Sequence, residues 1–416
     1  MTTTTSPAST TDASGPASPS GSASSSGPVN PAEGSSCAAL SSAQILHAVH
    51  RLLPLVREDA AEAEATRRLT PRVHAALRAA GAYQVGFSRR HGGPEMPLLQ
   101  QTEMVELVAT ADAGTAWNLA VLAATGFYAE RLGEQAFAEL YPTLDRPTCG
   151  SFHPKGRALA VEGGYRVSGT WSFGSGIRSA ELIVGGAQVH HADGNPLLRE
   201  DGSVLTLGLW LPVQQVRLHD DWQVVGLRAS SSESYSVQDV FVPAGHTFDR
   251  FYAPRADADP LIKHVDLPFY SMAGICIGIA QHAVDLTSEH LLARARSGRE
   301  PGERTLALLG EAATSVRAAR ALVLHGVREI DEAIFSPGQL PAESVMARGD
   351  APLATELART VLDRCADVLG SAAIHEATGF EKLTRDLVGV SAHASSWRSR
   401  WIDVARTHLA EKGRAA

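Results

Sequence analysis

The chain has 416 residues, of which 44% are hydrophobic and 20% are charged, and its formal net charge is -8 at pH 7. A chain of this length and composition can bury a sizeable core, as soluble enzymes do. The acidic balance argues against a nucleic-acid partner, because a phosphate backbone is bound by basic surfaces. No apolar run approaches the ~20 residues that a membrane-spanning helix needs, so no membrane partner is expected either.

Residues 1–36 are almost wholly Thr, Ser, Ala, Pro and Gly, and no lysine or arginine precedes Arg51. Such a segment has too few large apolar side chains to offset the entropy of ordering, so we predict a disordered, low-complexity tail. It has neither the basic start and apolar core of a secretory signal nor the arginines of a transit peptide. The protein is therefore expected in the cytoplasm.

The cysteines lie far apart, at Cys37, Cys149, Cys276 and Cys365. Four scattered cysteines in a chain of this length are typical of a reduced protein rather than a disulfide scaffold, and no pair has the spacing of a zinc site. No metal site is expected. The last three cysteines stand in apolar or helical settings and are predicted to pack in the interior.

Residues 37–148 have the periodicity of a helical domain. Ser41 and Ser42 can cap a helix that carries apolar residues as far as Val56. Thr70-Pro71 begins the next helix, since proline is tolerated in a first turn.

From residue 149 to residue 250 the apolar runs become short and β-branched, bounded by Gly, Asp and Pro. This pattern predicts a β domain, with a tight hairpin turn at Gly163-Gly164. Residues 251–416 return to long helical runs, broken near 298–302 and 336–342, and are predicted to form a helical bundle.

The order of these three segments resembles the acyl-CoA dehydrogenase fold. Short strings along nearly the whole ordered chain are similar to those of the family. They are 77–81 with 91–93, 113–117, 150–158, 163–176, 221–228 and 239–243. The resemblance implies an α+β fold with an N-terminal helical domain, a central β-barrel or β-sandwich and a C-terminal four-helix bundle. The strings in the β domain resemble one branch in particular, the oxygenase components of two-component, reduced-flavin-dependent monooxygenases.

The end of the chain separates two chemistries that this fold carries. Acyl-CoA dehydrogenases place a glutamate base shortly after an Arg-Asp pair, but here no glutamate follows Arg385-Asp386 until Glu411. Asp266 is the only acid at the family's other position for the base. His393 stands where the oxygenase branch has a histidine facing the flavin, and an imidazole can deprotonate a phenol or manage the protons of a flavin peroxide. An acyl-thioester dehydrogenase remains open if Asp266 reaches the pocket.

The resemblance implies an oxygenase that takes reduced FMN or FAD from a separate NAD(P)H:flavin reductase. Dioxygen would form a C4a-hydroperoxyflavin, which hydroxylates a small aromatic substrate of phenolic or polyketide-like type. N-oxygenation of an amine or amino-sugar is the alternative within the same branch. A homo-oligomer, in particular a tetramer, is expected.

The resemblance places the flavin against the loop 171–176. Cofactor contacts are expected from Trp171, Ser172, Phe173, Gly174 and Ser175. The hydroxyl that meets flavin N5 is predicted to be that of Ser175, with Ser172 second. If Gly174 holds the family's hydroxyl position, a backbone N–H takes over this role.

Further cofactor contacts are expected from Ser151, Phe152, Arg228 and Arg294, the last across a subunit interface. Substrate contacts are expected from His91, Trp117 and His153. Aromatic packing alone would also explain Trp117, Phe152 and Trp171. The turn 230–232 is rich in hydroxyls and is expected to hold a flavin phosphate or to close over the substrate, and Arg385-Asp386 is predicted to be a structural ion pair.

Overall fold

The computed structural model of the chain describes residues 40–249, 258–264, 270–336, 349–393 and 400–415. The predicted tail and Asp266 lie outside the described residues. Seven α-helices lie in the described part before the sheet. They are α1 (Ser42–His50), α2 (Leu53–Thr66), α3 (Pro71–Ala79), α4 (Leu98–Ala109), α5 (Ala113–Leu122), α6 (Thr125–Ala129) and α7 (Glu134–Leu140).

Two predicted helix starts are confirmed, because the hydroxyls of Ser41 and Thr70 cap α1 and α3. The single helix predicted to run as far as Val56 is two helices instead. Pro54, in the first turn of α2, has no N–H with which to continue the hydrogen bonds of α1. The chain therefore turns at Arg51 and starts a new helix.

Seven strands form one sheet in the order β5-β6-β2-β1-β3-β4-β7. They are β1 (Thr148–Val161), β2 (Gly164–Gly174), β3 (Leu182–His190), β4 (Thr206–Leu211), β5 (Arg217–Leu218), β6 (Glu233–Pro243) and β7 (Thr247–Asp249). The predicted hairpin is confirmed: Val161 pairs with Gly164, and Gly163 takes the positive φ, 75°, that its tight turn needs. Hydrogen bonds join the described strands into one mixed sheet with β5 and β7 at its ends, and the finer prediction of a β-barrel or β-sandwich stays a prediction.

Five helices follow in the described residues. They are α8 (Ala273–Arg296), α9 (Glu303–Phe335), α10 (Asp350–Leu369), α11 (Phe380–Ser391) and α12 (Arg400–Ala415). α8 packs against α9, α10 and α11, and also against α4. The contact with α4 is close because of glycine: a Cβ at Gly274 would stand 2.6 Å from Thr102 O, and one at Gly278 would stand 2.5 Å from Glu106 O. The early and late helices thus share one hydrophobic core.

Cys149, Cys276 and Cys365 are buried free thiols, as predicted. Burial raises the pKa of each thiol, that of Cys276 to about 12. Among the described residues, no group of three or more His, Cys, Asp and Glu side chains is arranged to hold a metal ion. None of the described helices has the length and apolar character to cross a membrane.

A buried ion cluster joins α5, α11 and the segment that leads into β6. Lys382 Nζ lies 2.7 Å from Asp112 Oδ1 and 2.6 Å from Asp386 Oδ2. Asp386 Oδ1 accepts a hydrogen bond from Leu227 N at 2.6 Å, while Asp112 caps α5 by accepting from Thr115 N at 2.7 Å. The two carboxylates are 1% and 0% exposed and the lysine side chain 19%, so the cluster lies largely out of water.

Replacing Lys382 by methionine keeps much of the side-chain volume but leaves two buried carboxylates without their cation. We expect Lys382→Met to lower the free energy of unfolding by about 3–5 kcal/mol, as is typical when one partner of a buried ion pair is removed. Urea unfolding followed by circular dichroism measures the change. The matched control is Lys412→Met on the exposed face of α12, where a change below about 0.5 kcal/mol is expected. Equal effects of the two substitutions would contradict the role given to Lys382.

Candidate active site

A chain of buried hydroxyls lies between the end of β2 and the start of β6. The indole N–H of Trp117, on α5, donates to Ser175 Oγ at 3.1 Å. Ser175 Oγ lies 2.7 Å from Ser232 Oγ, which lies 2.8 Å from Ser230 Oγ. Ser230 is 0% exposed, Ser232 4% and Ser175 7%, so these hydrogen bonds are made in an environment of low dielectric, where they are strong.

Hydrogen bonds to its backbone carbonyls hold the segment 227–232 against α5 and against the turn that follows β2. Ser230 O accepts a hydrogen bond from Gly176 N at 2.8 Å, and Ala229 O accepts one from Asn118 Nδ2 at 2.8 Å. A Cβ on Gly114 would stand 2.7 Å from that of Ala229, so the segment and the helix touch where the helix has no side chain. The hydroxyl chain therefore belongs to two loops that α5 holds together.

Both ends of this segment are strained. Leu227 and Ser231 have positive φ angles of 52° and 42°, a conformation that costs a non-glycine residue roughly 1–3 kcal/mol. Two buried polar atoms here, Asn118 Oδ1 and Ser231 Oγ, have no hydrogen-bond partner in the described structure. Strained backbone and unpartnered buried polar atoms are both uncommon, and they concentrate at functional sites.

The imidazole of His393 meets the indole of Trp117 edge to face, with ring centroids 5.3 Å apart and planes at 86°. His393 follows the end of α11. Burial, and after it the positive charge of Arg400, lowers the pKa of His393 below its ordinary value. The imidazole is therefore neutral at pH 7. The structure thus brings together the predicted residues Trp117, Ser175 and His393.

The carboxylates of the ion cluster are not available as bases. Burial disfavours the ionised form of Asp112, but Lys382 and the two hydrogen bonds from Thr115 hold the pKa of this carboxyl below its usual range. The same two carboxylates raise the pKa of the Lys382 ammonium despite its burial. Burial raises the pKa of the Asp386 carboxyl, and Lys382 opposes this rise. Both carboxylates are bonded to Lys382 Nζ and to backbone N–H groups, so neither is free to remove a proton from a ligand.

The side chain of Trp171 packs inside the sheet, and its contact with a cofactor stays a prediction. Its side chain is 0% exposed and stacks on Tyr235, with ring centroids 5.4 Å apart. Its indole N–H donates to Gly186 O at 2.8 Å. All of its surface and its one polar atom are used inside the sheet, as aromatic packing predicts.

The side chains after Trp171 do not keep the regular inward and outward alternation of a strand, because the pairing of β2 with β6 shifts between Trp171 and Gly174. Phe173 stands within this irregularity with a positive φ of 64°, and its side chain is turned outward, 68% exposed. The ring meets that of Trp222 edge to face, with centroids 6.3 Å apart. Ser172 is half-buried and Gly174 is buried. Their contacts with a cofactor, and that of Phe173, stay predictions.

Two other predicted residues, His91 and Phe152, contact a second, smaller hydrophobic cluster that includes Phe87, Phe137 and Phe248, and Ser151 and His153 adjoin Phe152 in the sequence. His91 stacks on a phenylalanine of this cluster, and its Nδ1 lies 2.6 Å from Glu130 Oε2. Phe152 packs against the same cluster. Ser151 N donates to a buried tyrosine hydroxyl at 2.7 Å, and His153 is exposed. The described contacts of His91 are all with this region and not with Ser175, and the roles of these four residues stay predictions.

The predicted flavin arginines lie at two separate places. Arg228 Nε donates to Val224 O at 3.1 Å and lies 3.6 Å from Glu64 Oε1, so a carboxylate already balances part of its charge. Arg294 is exposed near the end of α8. Their contacts with a flavin phosphate stay predictions.

The predicted ion pair between Arg385 and Asp386 is wrong. Arg385 bonds to Glu381 and Glu64, at 2.5 Å and 2.8 Å, while Asp386 bonds to Lys382. Consecutive helical residues point in different directions and do not face each other. Both residues nevertheless tie α11 to other parts of the chain.

Asn118 and Lys382 help to build the site but were not predicted from the sequence. Lys382 could have been predicted, because lysine is rare in this chain: only four of the 37 basic residues are lysine. Asn118 could not have been predicted, since its partner Ala229 is 111 positions away in sequence.

Comparison with known proteins identifies the family. The family described as "Acyl-CoA dehydrogenase, C-terminal domain" matches residues 270–396. Over 296 residues the chain is 30% identical to the FADH(2)-dependent resorcinol hydroxylase, oxygenase component, of Rhizobium sp. (strain MTP-10005), a match that covers 66% of this chain and 70% of that protein. The chain belongs to the family of oxygenase components of flavin-dependent monooxygenases.

Two further comparisons extend over more of this oxygenase. It is 26% identical over 362 residues to the flavin-dependent monooxygenase oxygenase subunit HsaA of Rhodococcus jostii (strain RHA1), covering 83% of this chain and 92% of that one. The solved structure of XiaF from Streptomyces sp., in complex with FADH2 and glycerol, superposes with a TM-score of 0.80 at 23% identity, over 89% of this chain and 96% of that one. The fold of the oxygenase is thus acyl-CoA dehydrogenase-like.

Removing the positive charge of Arg400 should raise the pKa of His393 toward its ordinary value of about 6.5, because that charge opposes protonation of the imidazole. We expect NMR titration of the His393 ring to show this rise in Arg400→Gln. The matched control is Arg406→Gln, which removes an exposed arginine from the same helix, α12. A pKa of His393 that responds equally to both substitutions would contradict a specific effect of Arg400.

Proposed function

We propose that this oxygenase uses reduced flavin and O2 to hydroxylate a small aromatic substrate of phenolic or polyketide-like type, and that a separate NAD(P)H:flavin reductase supplies the flavin. The observation that carries the proposal is the neutral imidazole of His393 packed on Trp117, whose indole holds the hydroxyl of Ser175. The resorcinol hydroxylase among its relatives acts on a phenol, which supports this substrate class.

The residues around Ser175 fit a flavin. A bound reduced flavin supplies two electrons and the reaction with O2. The exposed ring of Phe173 would offer an apolar face to the flavin ring, and the hydroxyl of Ser175 would meet its N5 edge. The unpartnered atoms Asn118 Oδ1 and Ser231 Oγ support a site that a bound molecule completes.

His393 acts as the general base of the proposal. A neutral imidazole can accept the proton of a phenolic hydroxyl, and the phenolate that results carries more electron density on the ring carbon that receives oxygen. Burial keeps the imidazole in its neutral form. Packing on Trp117 fixes the orientation of the His393 imidazole. The indole of Trp117 therefore positions both His393 and Ser175.

The acyl-thioester dehydrogenase reading has less support. That chemistry needs a free carboxylate base near the flavin. The described carboxylates beside α5 and α11, Asp112 and Asp386, are both bonded to Lys382 and to backbone N–H groups. They serve structure rather than proton removal.

Supplied with reduced FMN or FAD by an added reductase, the wild-type protein should convert a phenol into a product that contains one atom from 18O2. His393→Asn should lower the rate of product formation about 100-fold or more, since general base catalysis contributes typically 10²–10⁴-fold. Mass spectrometry of the product and an assay of released hydrogen peroxide together measure what fraction of the reduced flavin is used for hydroxylation.

The matched control is His375→Asn, an exposed histidine that precedes α11, and should behave as wild type. Oxidation of acyl-thioesters without uptake of oxygen would contradict the proposal. A rate in His393→Asn equal to that of wild type would remove His393 from the mechanism.

The oxygenase assembles as a homotetramer in this proposal, with Arg294 contacting the flavin of a partner subunit. Leu292 is 56% exposed near Arg294, and Leu306 is 52% exposed at the start of the next helix. Exposed apolar side chains of this kind fit a subunit interface. Light scattering should give about four times the chain mass for wild type, and a smaller mass for Leu292→Glu. Leu198→Glu, an exposed loop leucine, is the control, and a monomeric wild type would contradict the assembly.

A further inference from the structure

The hydroxyl of Ser175 has a hydrogen-bond direction that can be derived from its neighbours. A serine hydroxyl has one proton to donate and two lone pairs that accept. An indole N–H can only donate, so Trp117 fills one acceptor position of Ser175. The 2.7 Å contact with Ser232 can run in either direction.

The two directions differ in where a proton is left without a partner. If Ser175 donates to Ser232, a proton of one of the other two serines is left over. It is that of Ser230 when Ser232 donates to Ser230, or that of Ser232, which is 4% exposed, when Ser230 donates to Ser232. Among the described residues Ser230 Oγ has Ser232 Oγ as its hydrogen-bond partner, and Ser230 is 0% exposed. An unbonded donor sealed from water is costly.

In the opposite direction the left-over proton belongs to Ser175. Ser230 donates to Ser232, and Ser232 donates to Ser175, whose two acceptor positions are then full. Ser175 is the most exposed of the three serines, at 7%, and its proton can bond to a molecule in the site. This direction leaves no proton without a partner once the site is filled.

We infer that the hydroxyl chain runs from Ser230 through Ser232 to Ser175, which makes Ser175 a hydrogen-bond donor only. A ligand atom that meets Ser175 must then accept, as a carbonyl oxygen, an anionic oxygen or an unprotonated ring nitrogen does. Trp117 and Ser232 are positioning residues, because they act on the ligand through Ser175.

The inference rests on the proposed function and concerns how the site treats the two redox forms of flavin. Oxidised flavin has an unprotonated N5 that accepts a hydrogen bond, whereas reduced flavin carries an N5–H that donates one. Ser175, as a donor, bonds to N5 of the oxidised form and has no free lone pair for N5–H of the reduced form. Because Ser232 fills the second acceptor position of Ser175, it weakens the binding of reduced flavin relative to that of oxidised flavin.

Ser232→Ala tests this directly, because it empties the second acceptor position of Ser175. Binding of oxidised FMN and of anaerobically reduced FMN to the full chain is measured by fluorescence titration and repeated with FAD. We expect the ratio of the two dissociation constants to shift toward the reduced form by about five- to ten-fold, the worth of one ordinary hydrogen bond. An unshifted ratio would overturn the inference.

Thr206→Val is the matched control, because it removes a buried hydroxyl on β4 that has no hydrogen-bond partner and that has no part in the candidate site. Its ratio should equal that of wild type, and a shift as large as that of Ser232→Ala would overturn the inference. Ser175→Ala should weaken the binding of oxidised flavin at least as much as the binding of reduced flavin, since the substitution removes a hydrogen-bond donor. A larger loss for reduced flavin would show that Ser175 accepts and would overturn the inference as well.

Failure of the proposed function gives a different result. A wild-type protein that binds neither form of FMN or FAD would remove the proposed function together with the inference. A wild-type protein that binds flavin, but whose ratio does not respond to Ser232→Ala, would remove the inference alone.

Discussion

One buried ammonium group holds together the parts of the chain that form the site. Lys382, on α11, bonds at the same time to Asp112 at the start of α5 and to Asp386 on its own helix. Backbone N–H groups of Thr115 and Leu227 bond to the same two carboxylates, so the buried polar atoms of the cluster have partners. The contact between Trp117 and His393 therefore depends on a lysine that stabilises the start of the Trp117 helix on one side and precedes His393 on the other side.

The reacting region itself is neutral. Trp117, Ser175, Ser232 and neutral His393 carry no formal charge, and the neighbouring charges belong to the ion cluster, to the pair of Arg178 with Glu233, and to Arg400. A neutral, largely dry site favours hydrogen bonds that are directional and few, because each is stronger there than in water. The strained φ angles at Leu227 and Ser231 fit the same principle, since the segment between them is held by α5 on one side and by α11 on the other.

Local features of the fold follow from the sequence, and long-range features do not. The caps at Ser41 and Thr70 and the hairpin at Gly163 are correct because each depends on residues three or four positions apart. The direction of the Trp171 side chain cannot be derived in this way. Whether Trp171 points inward depends on its pairing with β6, some 60 residues later, and that pairing shifts within the very loop that was expected to hold the flavin.

The candidate site shows the same limit. His393 was expected from its place in the chain, but its contact with Trp117 joins residues from α5 and from the end of α11. The sequence shows the hydroxyls of the turn 230–232 as a group, whereas their hydrogen bonds to Ser175, and through it to Trp117, exist only in the fold. Arg385 and Asp386 illustrate the opposite error, since neighbours in sequence were paired although a helix points them apart.

The burial of the thiols has a consequence for survival of the protein during its own reaction. An enzyme that brings reduced flavin and oxygen together also exposes itself to hydrogen peroxide whenever the oxidant escapes unused. Peroxide attacks the thiolate form of cysteine, and Cys149, Cys276 and Cys365 are both buried and held protonated by raised pKa values. The packing of the core thereby protects these three thiols from oxidative damage.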